Sequence, residues 1–139
     1  MIEIVTKRII NKSPEYIWNH LVDFRSYSKW NPFITNINGE RKIGANLDVT
    51  IKNGKSEMKF KPKILCIKEN KELRWKGKLL ITGIFDGEHY FILNKLGDDK
   101  TELIHGEIFT GILSGVILKK IKEKTIQGFE KMNQALAML

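Results

Sequence analysis

The sequence predicts an α+β fold in which a curved antiparallel sheet and a long C-terminal helix enclose an apolar interior. Three observations carry that prediction. Apolar residues alternate with a period of about two between Phe33 and Gly111, short turn signals cut that stretch into strands, and after Gly111 the apolar period lengthens to about 3.6 residues. At 139 residues the chain suits one domain, residues 1–139, built around one core.

The elements follow in order. Ile2 to Ile10 is rich in β-branched residues and reads as a strand, which Asn11-Lys12 breaks. Ser13 is a good N-cap, Pro14 suits the first helical position, and Ile17, Trp18, Leu21 and Val22 fall at helical spacing, so a helix should run to about Phe24. Tyr27 to Trp30 fits one further turn before Asn31-Pro32 drives the chain into an extended conformation. Asn38-Gly39, Asn53-Gly54, Asn70-Lys71, Thr82-Gly83 and Gly97-Asp98-Asp99 then mark turns of an antiparallel meander. Alternation in Leu47-Asp48-Val49-Thr50-Ile51 and in Leu73 to Leu79 leaves one face of the sheet buried and one wet. From about Ile112 to the terminus, Ile117, Ile121, Thr125, Gly128, Met132, Ala135, Leu136 and Leu139 align on one helix face. Lys119, Lys120, Glu123, Gln127, Glu130, Lys131 and Gln134 form the other.

Composition narrows the function classes. No run approaches the roughly 20 apolar residues of a membrane-spanning helix, so no transmembrane segment is expected. The first residues, Met1 to Arg8, lack the basic start and apolar stretch of a secretory signal, and a cytoplasmic location is expected. Cys66 is the single cysteine and has no internal disulfide partner. The net charge of +8 comes from lysines spread along the chain, often alternating with apolar residues as in Lys59 to Ile64. That is the pattern of a solvated strand face, and no specific nucleic-acid partner is expected; a basic module for nucleic acid or anionic membrane is kept as an alternative. His20, His89 and His105 have no short metal-ligand spacing, so neither metal nor cofactor is expected. A Gly-x-Ser-x-Gly elbow and a P-loop are both absent from the sequence.

Two features bear on the interior. Gly128 and Thr125 are small residues on the apolar helix face, which either leave space for a ligand or permit a close helix-to-sheet crossing. Together with Ile121 and Met132 they would form a helix wall, facing a sheet wall of Val49, Met58, Phe60, Leu73, Trp75, Phe85, Phe91 and Phe109. Polar residues interrupt the same faces. The odd positions of 85–93 put His89 with Phe85 and Phe91, and those of 103–109 put His105 and Glu107 with Leu103 and Phe109. A three-residue loop Gly97-Asp98-Asp99 pairs His89 with Glu107 and Phe91 with His105, whereas a two-residue loop would put His89 opposite Ile108. A histidine beside a carboxylate in an apolar pocket can exchange protons near neutral pH, which makes His89, His105 and Glu107 candidate acid–base residues. The same residues also read as a buried polar set that satisfies itself and orients a ligand.

The order of these motifs resembles the START-like, Bet v 1-type helix-grip superfamily, in the bacterial group of polyketide cyclase/dehydrase-like SRPBCC domains. The resemblance rests on Ser13-Pro14-Glu15-Tyr16-Ile17-Trp18, Tyr27 to Ile34, Glu72 to Gly77, Gly87-Glu88-His89-Tyr90-Phe91 and His105 to Gly111, and it spans nearly the whole chain. It implies a strand, two short helices, six more strands and a C-terminal helix lying across a seven-stranded sheet. It also implies binding of a small hydrophobic ligand such as a lipid, sterol or polyketide, or cyclase/dehydratase chemistry in the cavity. Trp30 and Phe33 would close one end of that cavity. The superfamily has no common catalytic set to carry over, and neither the ligand nor the oligomeric state follows from the resemblance.

Overall fold

The computed structural model describes residues 1–79 and 83–139. Thr82, half of one expected turn signal, lies outside these residues, while its neighbour Gly83 takes φ +84°. The chain order is β1 (Ile2–Ile10), α1 (Pro14–Val22), a 3-10 turn (Phe24–Ser26), α2 (Tyr27–Trp30), β2 (Ile34–Asn38), β3 (Asp48–Asn53), β4 (Ser56–Phe60), β5 (Lys63–Lys68), β6 (Glu72–Lys78), β7 (Asp86–Gly97), β8 (Lys100–Thr110) and α3 (Ser114–Ala137). This is the α+β helix-grip architecture expected from the sequence.

Local chemistry accounts for the element ends. Ser13 Oγ accepts from the Tyr16 backbone N–H at 3.1 Å, satisfying one free amide of α1, and Pro14 occupies the first turn, where its missing donor costs nothing. After α2, Asn31 Oδ1 accepts from the backbone N–H of both Phe33 and Ile34, each at 2.9 Å. That double bond aims the chain into β2, so Asn31 as well as Pro32 sets this corner.

Where the resemblance implies a seven-stranded sheet, the described residues form eight strands in two antiparallel ladders, β1-β8-β7-β6-β5 and β2-β3-β4. Backbone hydrogen bonds stitch them at the edge: Leu47 N–H donates to Pro62 O at 2.8 Å and Ile64 N–H to Ala45 O at 3.0 Å. The short β2–β4 ladder meets α3 through β3.

The β7–β8 hairpin decides the site's register. Its turn residues are Asp98 and Asp99, because Gly97 pairs with Lys100, yet the ladder shifts by one between Lys95 and Gly97. Leu96 is the extra residue of a bulge. The expected three-residue loop is therefore a two-residue turn plus a bulge, and the two solutions give the same pairing: His89 opposite Glu107 and Phe91 opposite His105.

α3 packs against β1, β8 and β3. Its buried residues are Ser114, Leu118, Thr125, Phe129, Met132, Asn133 and Leu136. The face is rotated from the one read in the sequence, with Leu118, Phe129 and Asn133 inward and Ile117, Ile121, Gly128 and Ala135 only half-buried. A continuous apolar cluster runs from α1 through the sheet to Phe129, Met132 and Leu136. Among the described residues, no helix is long and apolar enough to cross a membrane.

Candidate functional site

The inward positions of β7 and β8 bring His89, His105 and Glu107 together beneath α3, where they are 2%, 0% and 7% exposed. Each reaches a partner. His89 Nε2 lies 2.7 Å from His105 Nε2, His89 Nδ1 lies 3.3 Å from Glu107 Oε1, and His105 Nδ1 lies 2.7 Å from Asn133 Oδ1 on α3. Asn133 Nδ2 donates to Thr6 Oγ1 on β1 at 2.8 Å, and that hydroxyl donates to the His105 carbonyl at 2.8 Å.

This chain of contacts fixes where every proton sits. Thr6 has one hydroxyl hydrogen and gives it to a carbonyl, which can only accept, so Thr6 must accept from the Asn133 amide nitrogen. Asn133 then presents its oxygen to His105 Nδ1, which must carry hydrogen. His105 Nε2 is left bare and accepts from His89 Nε2–H. His89 Nδ1 is bare in turn, and a protonated Glu107 is the group able to donate to it.

Burial points the same way. It pushes Glu107 up to about 8 and His89 down to about 3, and it holds His105 well below the ordinary imidazole range, with the neighbouring His89 adding to the depression. The His89–Glu107 contact is thus a neutral acid–imidazole pair near pH 7, not an ion pair. Aromatic rings wall the cluster: Trp75 stacks on His89 with centroids 5.3 Å apart, and Phe129 stacks on His105 at 4.2 Å.

Glu107 alone of the three reaches the interior space. An inlet between the β2–β4 ladder, β8 and α3 is lined by Phe33, Ile51, Asn53, Met58, Phe60, Leu79, Glu107, Phe109, Ile121 and Thr125. Its volume is about 30 Å³, room for a water molecule and not for a lipid. A Cβ at Gly87 would overlap Glu107 Oε2 and press on Leu79, so glycine at that strand position makes room for the carboxyl group. Oε2 has no hydrogen-bond partner among the described residues.

The residues read as a cavity lining are sorted into two sets. Phe33, Met58, Phe60, Phe109, Ile121 and Thr125 do line the inlet. Val49, Leu73, Trp75, Phe85, Phe91 and Met132 are buried in solid core, with Phe85 stacked on Phe109 at 5.5 Å, and Trp30 packs edge-on against Tyr27. Gly128 belongs to close packing. A Cβ there would overlap the Phe33 ring, which also meets Phe129 edge-on at 5.4 Å. Sequence reasoning missed Thr6, Asn53, Phe129 and Asn133. For Asn133 a signal existed, since it follows Met132 and lies one turn beyond Phe129, and a polar side chain between apolar neighbours invites a search for a partner. Among the described residues, no group of three or more His, Cys, Asp or Glu is arranged to hold a metal ion.

The chain is a helix-grip domain of the START/Bet v 1 type of fold, with a buried polar network beside an apolar inlet. The profile of the family described as polyketide cyclase/dehydrase and lipid transport matches residues 1–139, and the chain belongs to that family. No curated protein sequence matches the chain. Solved structures resemble it at low identity. A START superfamily protein from Mycobacterium smegmatis has 20% identity and a TM-score of 0.75, covering 97% of this chain and 94% of its own. The Zhui aromatase/cyclase from Streptomyces sp. R1128 has 8% identity and a TM-score of 0.70, covering 96% and 93%. A norcoclaurine synthase point mutant from Thalictrum flavum, in complex with a transition-state analogue, has 12% identity and a TM-score of 0.74, covering 99% and 92%.

Proposed function

We propose that residues 1–139 act as one domain that binds a small hydrophobic ligand between α3 and the β2–β4 ladder, with Glu107 addressing the ligand's polar atom. The observation that carries this reading is a single ionisable side chain in an otherwise mostly apolar inlet. Its carboxyl group is held neutral near pH 7 by burial, and its Oε2 has no hydrogen-bond partner among the described residues. With its one hydrogen given to His89 Nδ1, the neutral carboxyl leaves Oε2 to accept from a ligand hydroxyl or N–H without the desolvation cost of a charge. Because the inlet is small, a ligand must displace the half-buried Ile121 or Met58, or turn aside the buried Phe33 ring that lines it. Native mass spectrometry of the freshly purified protein, with a thermal-shift panel of fatty acids, sterols and aromatic polyketides, tests the proposal. Retention of a ligand, or a rise in Tm that Glu107→Ala diminishes, is expected; no binding across the panel would remove the reading.

One observation favours a second reading, an enzyme of the cyclase/dehydratase type. Glu107 is backed by a hydrogen-bonded line of His89 and His105, so that as Oε2 takes a proton from a substrate carbon the Oε1 proton can pass to the bare His89 Nδ1. On this reading Glu107 is the base that meets substrate, and the histidines act behind it. Glu107→Gln would abolish turnover while leaving ligand affinity within a few-fold, and full activity of that variant on any substrate found would exclude the role.

A further inference from the structure

Outside the inlet lies a second space of about 400 Å³, lined by Pro32, Lys52, Asn53, Gly54, Lys124, Gln127, Gly128 and Lys131. It contains three lysines and no acid. Lys52 comes from β3, Lys124 and Lys131 from α3, so the charges approach from both sides. Lys124 lies over the Gly54 turn, its Nζ 3.8 Å from the place a Cβ would occupy. The nearest acids in sequence and register are Glu57, which pairs across the ladder with Lys52, and Glu123 and Glu130 on α3. None of them lines the cleft, and none forms an ion pair within 4.0 Å with these lysines among the described residues. Three solvent-exposed ammonium groups around one cleft, with no acid in its lining, give the cleft a positive potential that favours an anion.

The cleft and the inlet are neighbours. Asn53 lines both, and its Oδ1 is buried without a hydrogen-bond partner among the described residues. The Phe33 ring lines the inlet and fills the notch that Gly128 leaves, while Gly128 itself lines the cleft. Phe33 therefore stands between a basic space open to solvent and an apolar space beneath the helix. Resting on the ligand-binding reading above, we infer that this site takes an amphipathic anion. Its negatively charged head is held by Lys52, Lys124 and Lys131 in the cleft, and its apolar tail enters the inlet once the Phe33 ring turns aside. Sterols and other uncharged apolar ligands would leave the lysines unused.

The test compares decanoate with decan-1-ol, which share a ten-carbon chain and differ in head charge, by calorimetric titration of the full chain at low salt. Two variants accompany the wild type. K52Q/K124Q/K131Q empties the cleft of charge, and K42Q/K61Q/K71Q removes the same three charges from exposed positions elsewhere. The cleft variant should lose at least tenfold in decanoate affinity and less than twofold for decanol, with the control variant near wild type for both. Equal losses of decanoate affinity in the two variants, or none in the cleft variant, would overturn the head-group site while decanol binding left the cavity reading standing. Failure of both probes to bind the wild type would overturn that reading and this inference with it.

Discussion

The two ends of the layer beneath α3 are built in opposite ways. Around His89 and His105, imidazole, amide and hydroxyl groups hydrogen-bond to one another and aromatic rings close over them. Around Thr125 and Ile121 the same layer is mostly apolar and bounded by two oxygens, Glu107 Oε2 and Asn53 Oδ1, that have no protein partner among the described residues. The first end is held by directional bonds with no slack, and the second by packing around a small void. A ligand can be admitted only where side chains move without orphaning a buried polar group, so the difference assigns rigidity to one end and response to the other.

The largest effect expected is at the rigid end. Asn133→Leu leaves His105 Nδ1–H unpaired in the core and should cost about 3 kcal/mol of stability in urea denaturation. A loss below about 1 kcal/mol would mean that the hydrogen-bonded line does little to hold the fold.

Gly128→Ala probes the boundary between the two ends. Helix propensity alone would favour alanine by about 1 kcal/mol, but its methyl group must displace Phe33, and overpacking of this kind costs about 1–3 kcal/mol. A net loss of about 1 kcal/mol is expected, relieved in Gly128→Ala/Phe33→Leu, with the coupling read from a double-mutant cycle.

The pH dependence separates the polar groups. Burial raises Glu107 from 4.5 to about 8, so between those values the native chain holds a proton that the unfolded chain has released, and this group's stabilisation is lost as pH rises. Burial lowers His89 from 6.5 to about 3, and His105 in the same direction, so in that window the unfolded chain binds the extra protons and stability rises with pH. The cluster's contribution should peak near pH 6.5 and fall towards pH 8 by about 1.4 kcal/mol per unit at most. Glu107→Gln should flatten the alkaline fall in Tm, and an unchanged slope would show that Glu107 is already ionised at neutral pH.

The smallest effect is at the responsive end. Among the described residues the Thr125 hydroxyl bonds only to the Ile121 carbonyl of its own helix at 2.9 Å, so Thr125→Val should change stability by less than about 0.5 kcal/mol. Its expected readout is tighter binding of an apolar probe in the inlet, followed by fluorescence.

Much of this was legible in the sequence because it depends on short-range rules. β1 ends where Asn11-Lys12 predicts, Ser13 caps α1, and odd positions of β7 and β8 face inward because side chains alternate along any strand. The pairing of His89 with Glu107 was legible through a loop of a different form, since turn plus bulge and three-residue loop advance the ladder equally. The rotated face of α3 was less legible. Ile117, Ile121 and Gly128 flank the true seam that Leu118, Phe129 and Asn133 occupy, and a helix with apolar residues at so many angles does not choose its own orientation.

By itself the sequence determined the helix-grip order of elements, the inward placing of His89, His105 and Glu107, and the small residue at 128, because periodicity, caps and turns act over a few residues. Only the tertiary structure decided that Asn133 and Thr6 complete the proton line, that Phe33 fills the notch at Gly128, and that Glu107 alone reaches the inlet. Those outcomes depend on contacts between residues up to 127 positions apart, Thr6 with Asn133, whose meeting is set by how α3 lies across the sheet. Packing fixes that angle through the whole interface at once, and no local pattern encodes it.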